Sequence, residues 1–384
     1  MKSIAVIFGG KSAEHDVSII TAHIPIIEVL LTDGGFDVWP VYISKEGNWY
    51  CDKRMNDLRF FKEPDWEAQV AKWKPVELSF EGGLQICWPR MFGKCVKIDV
   101  VFPAMHGTYG EDGSLMGVLR MANVPFAGCD IFASAVAMDK VLTKQVVAAE
   151  GMPVVPYVWF TKAQWNKDAN AYRARMKDLK WPLFVKPVHL GSSIGITKVK
   201  NQEELENAIE VALHYDDKVL VEEGIEPLLE VTLPIMGNDD IRTAECERPL
   251  NKTEMFDFSD KYLSGGKSSG VNNAYSEIPA AIGEELTKKF KALGVRVYET
   301  LGCTGTARVD FLINDSTKEI FVNEVNTLPG SLYHHNWKKA GVSNRDLVLG
   351  LIKLGEERFA AQQKNIYAFK SDILNKVGGP KVQE

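Results

Sequence analysis

The chain has 384 residues and a formal net charge of −6, with 45% apolar and 25% charged residues. That length gives room for two or three domains and a sizeable core, and the acidic balance offers no footing for a nucleic-acid or membrane partner, although a local basic pocket can still hold phosphates. The opening MKSIAVIFGG reads as a strand rather than a signal peptide, and the lack of a run of about 18 apolar residues predicts no transmembrane helix.

SIAVIF is a buried-strand run, Gly9-Gly10 a turn, Asp16 to Leu31 an amphipathic helix and Phe36 to Ile43 a second strand. This βαβ opening predicts a parallel sheet. Residues 45–97, which hold Trp49, Trp66, Trp73 and Trp88, read as an elaboration of that first unit. DVVFPAMHG (99–107) is a strand running into a loop, with a helix from Ser114 to Ala122. A second unit opens near Cys129 with one continuous helix, SAVAMDKVLTKQVVAAEG, stopped by Gly151. WPLFVKP and GITKV are strands flanking the small-residue loop HLGSSIG; NQEELENAIEVALHY is an amphipathic helix and KVLVEEGI a strand. A third unit opens near Leu229, and its polar stretch Phe256–Glu277 reads as a mobile surface loop. A helix over EELTKKFKALGVRVYETLG precedes the strands ARVDFLI and EIFVNEV, joined by NDSTK; a helix over Arg345–Phe359 and a frayed tail follow. The predicted domains are 1–128, 129–226 and 227–372, with a tail over 373–384.

Cys51, Cys87, Cys95, Cys129, Cys246 and Cys303 show neither CxxC spacing nor a Cys/His cluster. They read as buried small hydrophobes or neutral surface thiols in a reducing cytosol. Neither Gly10-Lys11-Ser12 nor Gly266-Lys267-Ser268 completes a Walker A loop, because Ala5 and Lys261 stand where its first Gly is required. No GxGxxG follows a strand, so a bound nucleotide needs another architecture.

The C-terminal hairpin is the most informative segment. Period two puts Arg308 and Asp310 on one face of ARVDFLI, and Glu324 on the face of Ile320 and Val322, continued by Asn326 past the strand's end. Oxygen donors on adjacent strands suit magnesium, and Arg308 beside them can neutralise phosphoryl charge; a surface hairpin of solvated charges is the alternative. Lys186 ends a strand before Gly191-Ser192-Ser193-Ile194-Gly195, whose N–H groups and hydroxyls can cover phosphates, or which is simply a loop. Lys140 is a phosphate contact or a solvated helix lysine. The loop Gly9–Ser18 leads from strand to helix, where a carboxylate ligand is favoured or where Glu14 takes a substrate ammonium. His106, in a second Gly-rich loop, is a ligand or a structural histidine.

The order of GGKSAEHDVS, HGTYGEDG, AMDK, FVKPVHLGSSIGI, KYLS, ARVDF and NEVNTLPG resembles the D-alanine–D-alanine ligase family of the ATP-grasp superfamily, from about residue 4 to residue 330. The resemblance implies a three-domain ATP-grasp fold of α/β and α+β character: an N-terminal parallel-sheet domain, then two lobes that clamp ATP between antiparallel sheets. It implies ATP-dependent joining of D-alanine to D-alanine through an acyl phosphate, with release of ADP and phosphate, for peptidoglycan precursor synthesis. In that reading Lys140, Lys186 and Ser193 contact ATP phosphates, Glu222, Glu223 and Ile225 form the adenine-side hinge, and Glu230 reaches the ribose. Asp310, Glu324 and Asn326 hold two magnesium ions, with manganese able to replace them. Glu14 takes the donor's ammonium, His106 sits near its carboxylate, and Ser192 and Tyr262 join Glu14 in closing loop 256–277. Lys261 approaches the γ-phosphate, while Arg308 and the Gly330 N–H stabilise the tetrahedral oxyanion. A cytoplasmic homodimer is implied as well.

One departure stands out. The family's NTxPG turn is usually followed by a hydrophobic residue, Thr and a nearby Ser that seat the second amino acid; here Ser331-Leu332-Tyr333-His334-His335-Asn336-Trp337 follows. Either these rings fill the acceptor subsite or some of them face a neighbouring helix. Alternatives to the dipeptide ligase are a D-alanine ligase with another acceptor (D-serine, D-lactate or a further amine), with Tyr262 favouring an amine, and a non-catalytic nucleotide-binding regulator.

Overall fold

Ile4 to Phe8 are buried, as expected of a strand covered on both faces. The computed structural model describes residues 1–89, 93–250, 276–371 and 373. In it this run forms β1 (Lys2–Gly9), which pairs in parallel with β2 (Phe36–Ile43) and β7 (Val100–Pro103). β3 (Trp49–Cys51) closes the edge antiparallel to β2. The crossover between β1 and β2 is helical from His15 to Asp33, but it is not one α-helix. α1 (His15–Thr21) passes into a π-helical turn, Ala22–Ile27, before α2 (Glu28–Asp33). Pro25 inside that turn explains the change, because proline has no N–H to give the i−4 carbonyl and its ring pushes that carbonyl away. By length and composition alone His15–Asp33 could cross a bilayer, yet 61% of that apolar window is buried. Leu30, Ile26 and Ile27 pack there against Val6, Phe8 and Val38.

Residues 45–97 carry α3 (Trp66–Val70) and a small antiparallel sheet of β4 (Glu77–Ser79), β5 (Gln85–Cys87) and β6 (Cys95–Lys97). Here the thiol expectation fails for two cysteines. Cys87 and Cys95 face each other across β5 and β6 with Cα atoms 4.1 Å apart and form a disulfide, whereas Cys51, Cys129, Cys246 and Cys303 are free and buried. Sequence spacing could not show this, because only the strand register makes the two neighbours.

α4 (Ser114–Met121) follows β7, and the single helix expected after Cys129 is two: α5 (Ile131–Met138) and α6 (Lys140–Ala149). Asp139 breaks it by taking an extended conformation and accepting the N–H groups of Val141 and Leu142, the ordinary act of a helix N-cap. An antiparallel sheet follows, in the order β10-β9-β11-β8, from β8 (Tyr157–Thr161), β9 (Leu183–Pro187), β10 (Thr197–Val199) and β11 (Lys218–Glu223). α7 (Lys162–Met176) and α8 (Gln202–Tyr215) flank it, and buried residues of both helices share its apolar core. The sequence reading did not anticipate β8 or α7; α7 spreads its apolar residues without a strong apolar face, and Met176 is its buried residue.

A second antiparallel sheet, β13-β12-β16-β17, joins β12 (Leu228–Gly237) and β13 (Arg242–Thr243) to β16 (Gly305–Asn314) and β17 (Ile320–Asn326). β14 (Arg248–Pro249) and β15 (Ser276–Glu277) form a short pair beside it, and α9 (Glu284–Thr300) packs Phe290, Val297 and Tyr298 into its core. α10 (His334–Lys339) and α11 (Asn344–Gln362) return the chain to the first sheet, where Leu347, Val348, Leu351 and Ile352 join the core of β1 and α2.

Candidate active site

β1 delivers the chain to Glu14, which sits at the N-terminal boundary of α1 and is 8% exposed. Its carboxylate caps no helix N–H; it accepts the hydroxyl of Ser192 from the loop after β9. Two glycines make that approach feasible. A Cβ on Gly107 (φ +69°) would stand 2.8 Å from Glu14 Oε2, and one on Gly191 would stand 3.1 Å from it. Ser192 and Ser193 have φ of 54° and 59°; successive residues of this kind turn neighbouring N–H groups toward one concavity, a common anion cradle.

Lys140 opens α6 directly after its cap. Its ammonium donates to Leu190 O at 2.6 Å and lies 3.8 Å from Glu324 Oε2; at 8% exposure it is no solvated surface lysine. The cap is held from the other side. Asp139 Oδ2 accepts Lys218 Nζ at 2.6 Å and lies 3.3 Å from His189 Nε2, whose Nδ1 is 3.0 Å from Asp216. These two carboxylates raise the His189 imidazole to about 9, so it is a cation at neutral pH. Lys186, on β9, contacts Glu222 on β11 at 2.5 Å. On the far side of Glu222 lies Lys144, one turn beyond Lys140, in a 2.8 Å ion pair whose angles miss hydrogen-bond geometry. Burial pushes Lys144 down and opposes ionisation of Glu222 and Lys186. The opposite charges outweigh it for the latter two, holding Glu222 near 2 and Lys186 above its ordinary range. Glu223 turns to the other side and accepts the N–H of Lys180 at 3.0 Å.

The hairpin of β16 and β17 brings Asp310 opposite Glu324 and Arg308 opposite Asn326. A β-bulge corrects the face expected from period two. Phe311 pairs with Val322, so Asn323 is the extra residue between Val322 and Glu324. Val322 therefore points into the core while Glu324 points into the cavity. Without the bulge Glu324 would share the buried face of Val322 and no carboxylate pair would form. Arg308 grips Asp310 with two hydrogen bonds, Nε to Oδ1 at 2.6 Å and Nη2 to Oδ2 at 2.5 Å, and Asn326 Nδ2 donates to Asp310 Oδ2 at 3.0 Å. Burial works against the Arg308 cation, but Asp310 holds its proton well above the ordinary range. Two carboxylates and an amide oxygen, with no His or Cys among them, make a donor set suited to a hard divalent cation shared with phosphate.

The chain then turns at Gly330. Leu328 N–H donates to Glu111 Oε1 at 3.2 Å, Gly107 N–H to Glu111 Oε2 at 2.8 Å, and His106 Nδ1 lies 3.8 Å from that oxygen. His106 is 3% exposed. The Tyr333 ring lies under the Arg308 guanidinium, 4.8 Å from its centroid.

These residues meet in one cavity of about 450 Å³ between the two antiparallel sheets and the end of β1. Glu14 and His106 line it from the first domain. Lys140, Lys186, Ser192, Ser193, Glu222, Glu223 and Ile225 line it from the second sheet and its flanking segments, and Glu230, Arg308, Asp310, Glu324, Asn326 and Gly330 from the third. Lys261 and Tyr262, with the proposed loop 256–277 up to residue 275, lie outside the described residues.

Residues 3–129 match the D-ala D-ala ligase N-terminus model and residues 146–353 the D-ala D-ala ligase C-terminus model. The chain is 36% identical over 363 residues to D-alanine–D-alanine ligase A of Escherichia coli K12, covering 93% of this chain and 96% of that one. It is 35% identical over 377 residues to the D-alanine–D-alanine ligase of Thermosipho africanus, covering 98% and 99%. Among solved structures, the VanG D-Ala:D-Ser ligase of Enterococcus faecalis superposes with a TM-score of 0.77 at 33% identity, covering 92% of this chain and 99% of that one. The D-alanine–D-alanine ligase of Coxiella burnetii gives 0.79 at 29%, covering 94% and 96%. The chain belongs to the D-alanine–D-alanine ligase family. Its fold is accordingly the ATP-grasp fold, two antiparallel sheets facing each other behind a parallel-sheet domain.

The structure divides the residues of the segment after Gly330. Tyr333, His335 and Asn336 line the cavity. Trp337 is 1% exposed and packs in the core with Leu347 and Leu351, and the His334 ring turns back to Ser331 O at 3.0 Å. Of the four rings in the segment, two therefore line the cavity. Sequence reasoning missed Glu111, Lys144 and Glu247. Glu111 stood in the quoted HGTYGEDG motif. Lys144 carried a signal in its place one helical turn after Lys140, on the same face. Glu247, which lines the cavity and which burial pushes upward, had no distinguishing context.

Proposed function

We propose that this chain joins D-alanine to D-alanine at the expense of ATP, supplying a peptidoglycan precursor. The observation that supports it most is the convergence of Glu14, Lys140, Lys186, Arg308 and the Asp310/Glu324 pair on one cavity, which joins an ammonium receptor to a phosphate-sized basic wall. In this reading ATP lies between the sheets. Lys140, Lys186 and the Ser193 loop meet its phosphates, Glu222, Glu223 and Ile225 its base, and Glu230 its ribose. Glu14 holds the donor's ammonium and His106 lies beside its carboxylate.

That carboxylate attacks the γ-phosphorus, giving an acyl phosphate and ADP. The second D-alanine's amine attacks the acyl carbon, phosphate leaves, and the amine's proton is released. Arg308 and the Gly330 N–H face the oxyanion that forms. Asp310, Glu324 and Asn326 would hold divalent ions, two of the magnesium type with manganese as a substitute, which supply charge neutralisation at the phosphates. Ser192, with Tyr262 and Lys261 from the loop beyond the described residues, completes the assignment. Divisions at 128 and 226, a cytoplasmic location and a homodimer belong to the same proposal. The test is ADP release with ATP, magnesium and D-alanine, together with mass spectrometry of the product over D-alanine, D-serine and D-lactate as acceptors. Dialanine as the main product is expected; ADP release without a dipeptide would refute the assignment.

A further inference from the structure

Thr21 ends α1, and its side chain is fully buried at 0% exposure. Its Oγ1 makes two contacts that no single element needs: 2.8 Å to His106 Nε2, and 3.0 Å to the Ser331 N–H, which donates to it. The first partner belongs to the donor side of the cavity and the second begins the turn on the acceptor side. We propose that Thr21 is a positioning residue that fixes the acceptor turn against the donor subsite. The proposal rests on the ligase reading above.

The turn needs fixing. Ser331, Leu332 and Tyr333 have φ of 50°, 53° and 49°, and none of them is Gly. Left-handed backbone is unfavourable for an L-residue, and three in succession persist only where the surroundings over-determine them. Leu332 is anchored by burial beside Trp337 and by its N–H to Pro329 O at 2.9 Å. The His334 ring meets Ser331 O at 3.0 Å. The Thr21 contact differs in kind, because it ties the first left-handed residue to another wall of the cavity. Two residues on, the Tyr333 ring lies against Arg308. A shift at Ser331 is thus carried to the guanidinium that would face the reacting carbonyl.

Proton accounting sharpens the role. A hydroxyl has one proton and two lone pairs. With one lone pair engaged by Ser331 N–H, Thr21 can donate its proton to His106 Nε2, which leaves the imidazole proton on Nδ1, toward Glu111. One hydroxyl then holds both the His106 ring and the start of the turn. Valine has nearly the same shape as threonine and can do neither.

The experiment measures KM for ATP and for the donor and acceptor D-alanine sites separately, with thermal melting, in wild type, Thr21→Val, Thr21→Ala and Thr21→Ser. Losing one buried hydroxyl partner weakens the acceptor site by roughly tenfold. The acceptor KM should rise by about that factor in the Val and Ala variants while the ATP KM stays within about twofold, and Ser should restore the acceptor KM to within about threefold. Either apolar variant that folds suffices for the comparison with Ser. An unchanged acceptor KM, an equal rise at all three sites, or a Ser variant as impaired as the Val variant would overturn the proposal. A wild-type chain that releases no ADP with D-alanine would sink the ligase reading and this inference together, whereas wild-type ligation with indifferent variants sinks this inference alone.

Discussion

Replacing Glu222 by Gln leaves two ammonium groups in the wall of the cleft with no carboxylate between them. Lys144 and Glu222 have side chains 1% exposed, and Lys186 is 10% exposed. The triad carries two positive charges and one negative, so its tolerance to substitution is asymmetric. Removing Lys144, as in Lys144→Met, leaves a one-to-one pair of Glu222 and Lys186 and an apolar side chain of similar volume. Such exchanges of buried charge for apolar packing are often close to neutral. Removing the carboxylate strands a buried charge, which costs roughly 3–5 kcal/mol. At about 2–4 °C per kcal/mol for domains of some 150–250 residues, Glu222→Gln should melt roughly 6–20 °C below wild type at pH 7.

The sign with pH can be worked out as well. Burial already lowers Lys144 in the wild type, and without Glu222 the main opposing attraction is gone and only the weaker one of Glu324 remains. A lysine whose folded value lies below its unfolded one destabilises while protonated in the fold, so the deficit is full at low pH. It should shrink as pH rises through the lowered value toward the ordinary lysine range near ~10.4. The assay is differential scanning fluorimetry of both variants from pH 6 to pH 10, with the ATP KM alongside. A Glu222→Gln deficit under about 3 °C, a deficit equal to that of Lys144→Met, or one that grows with pH would refute the reasoning.

Asp310→Asn and Glu324→Gln should each abolish ligation, and Glu324→Gln, whose carboxylate is 27% exposed and does not hold Arg308 in a bidentate grip, should do so while melting within a few degrees of wild type; turnover within about threefold of wild type at saturating magnesium would remove the metal assignment. Gly107→Ala should raise the donor KM at least about tenfold and slow turnover, since the new methyl would meet Ser12 Oγ at 2.6 Å and Glu14 Oε2 at 2.8 Å at a φ unsuited to alanine; kinetics matching wild type would show that Glu14 has room to move. His189 is raised to about 9 by Asp139 and Asp216, so its stabilising contribution is complete below about pH 6.5 and lost as pH rises through 9. With the imidazole 41% exposed, solvent screening keeps that contribution under about 1 kcal/mol, and the melting gap between wild type and His189→Gln should close between pH 6.5 and 9; a constant gap would contradict this. His335→Ala should change the preference among D-alanine, D-serine and D-lactate as acceptors while His334→Ala should not, because the former lines the cavity and the latter faces Ser331; equal effects in product mass spectrometry would count against that division.

The sequence by itself determined the fold family and named residues that the structure brings to one cavity, Glu14, Lys140, Lys186, Arg308 and Asp310 among them. A short continuous apolar run such as Ile4–Phe8, stopped by Gly9-Gly10, suits a strand covered on both faces, and the ordered motifs from Gly9 to Gly330 each keep a chemically specific residue at a fixed place. What it could not determine was anything set by register or by packing between distant segments. Period-two counting put Glu324 on the face of Val322, and one bulged residue, Asn323, reversed it, because register depends on the partner strand as well as on the strand itself. Cys87 and Cys95 are eight residues apart and became partners only when β5 and β6 paired. Asp139 looked like part of a helix until its carboxylate was seen to cap the next one. The aromatic segment after Gly330 was divided by the core, which took Trp337 and left Tyr333 and His335 to the cavity. Thr21 had no local signature, since its two partners lie 85 and 310 residues away along the chain. Local physics selects the elements, but which side chains meet is decided by how the sheets and helices close around them.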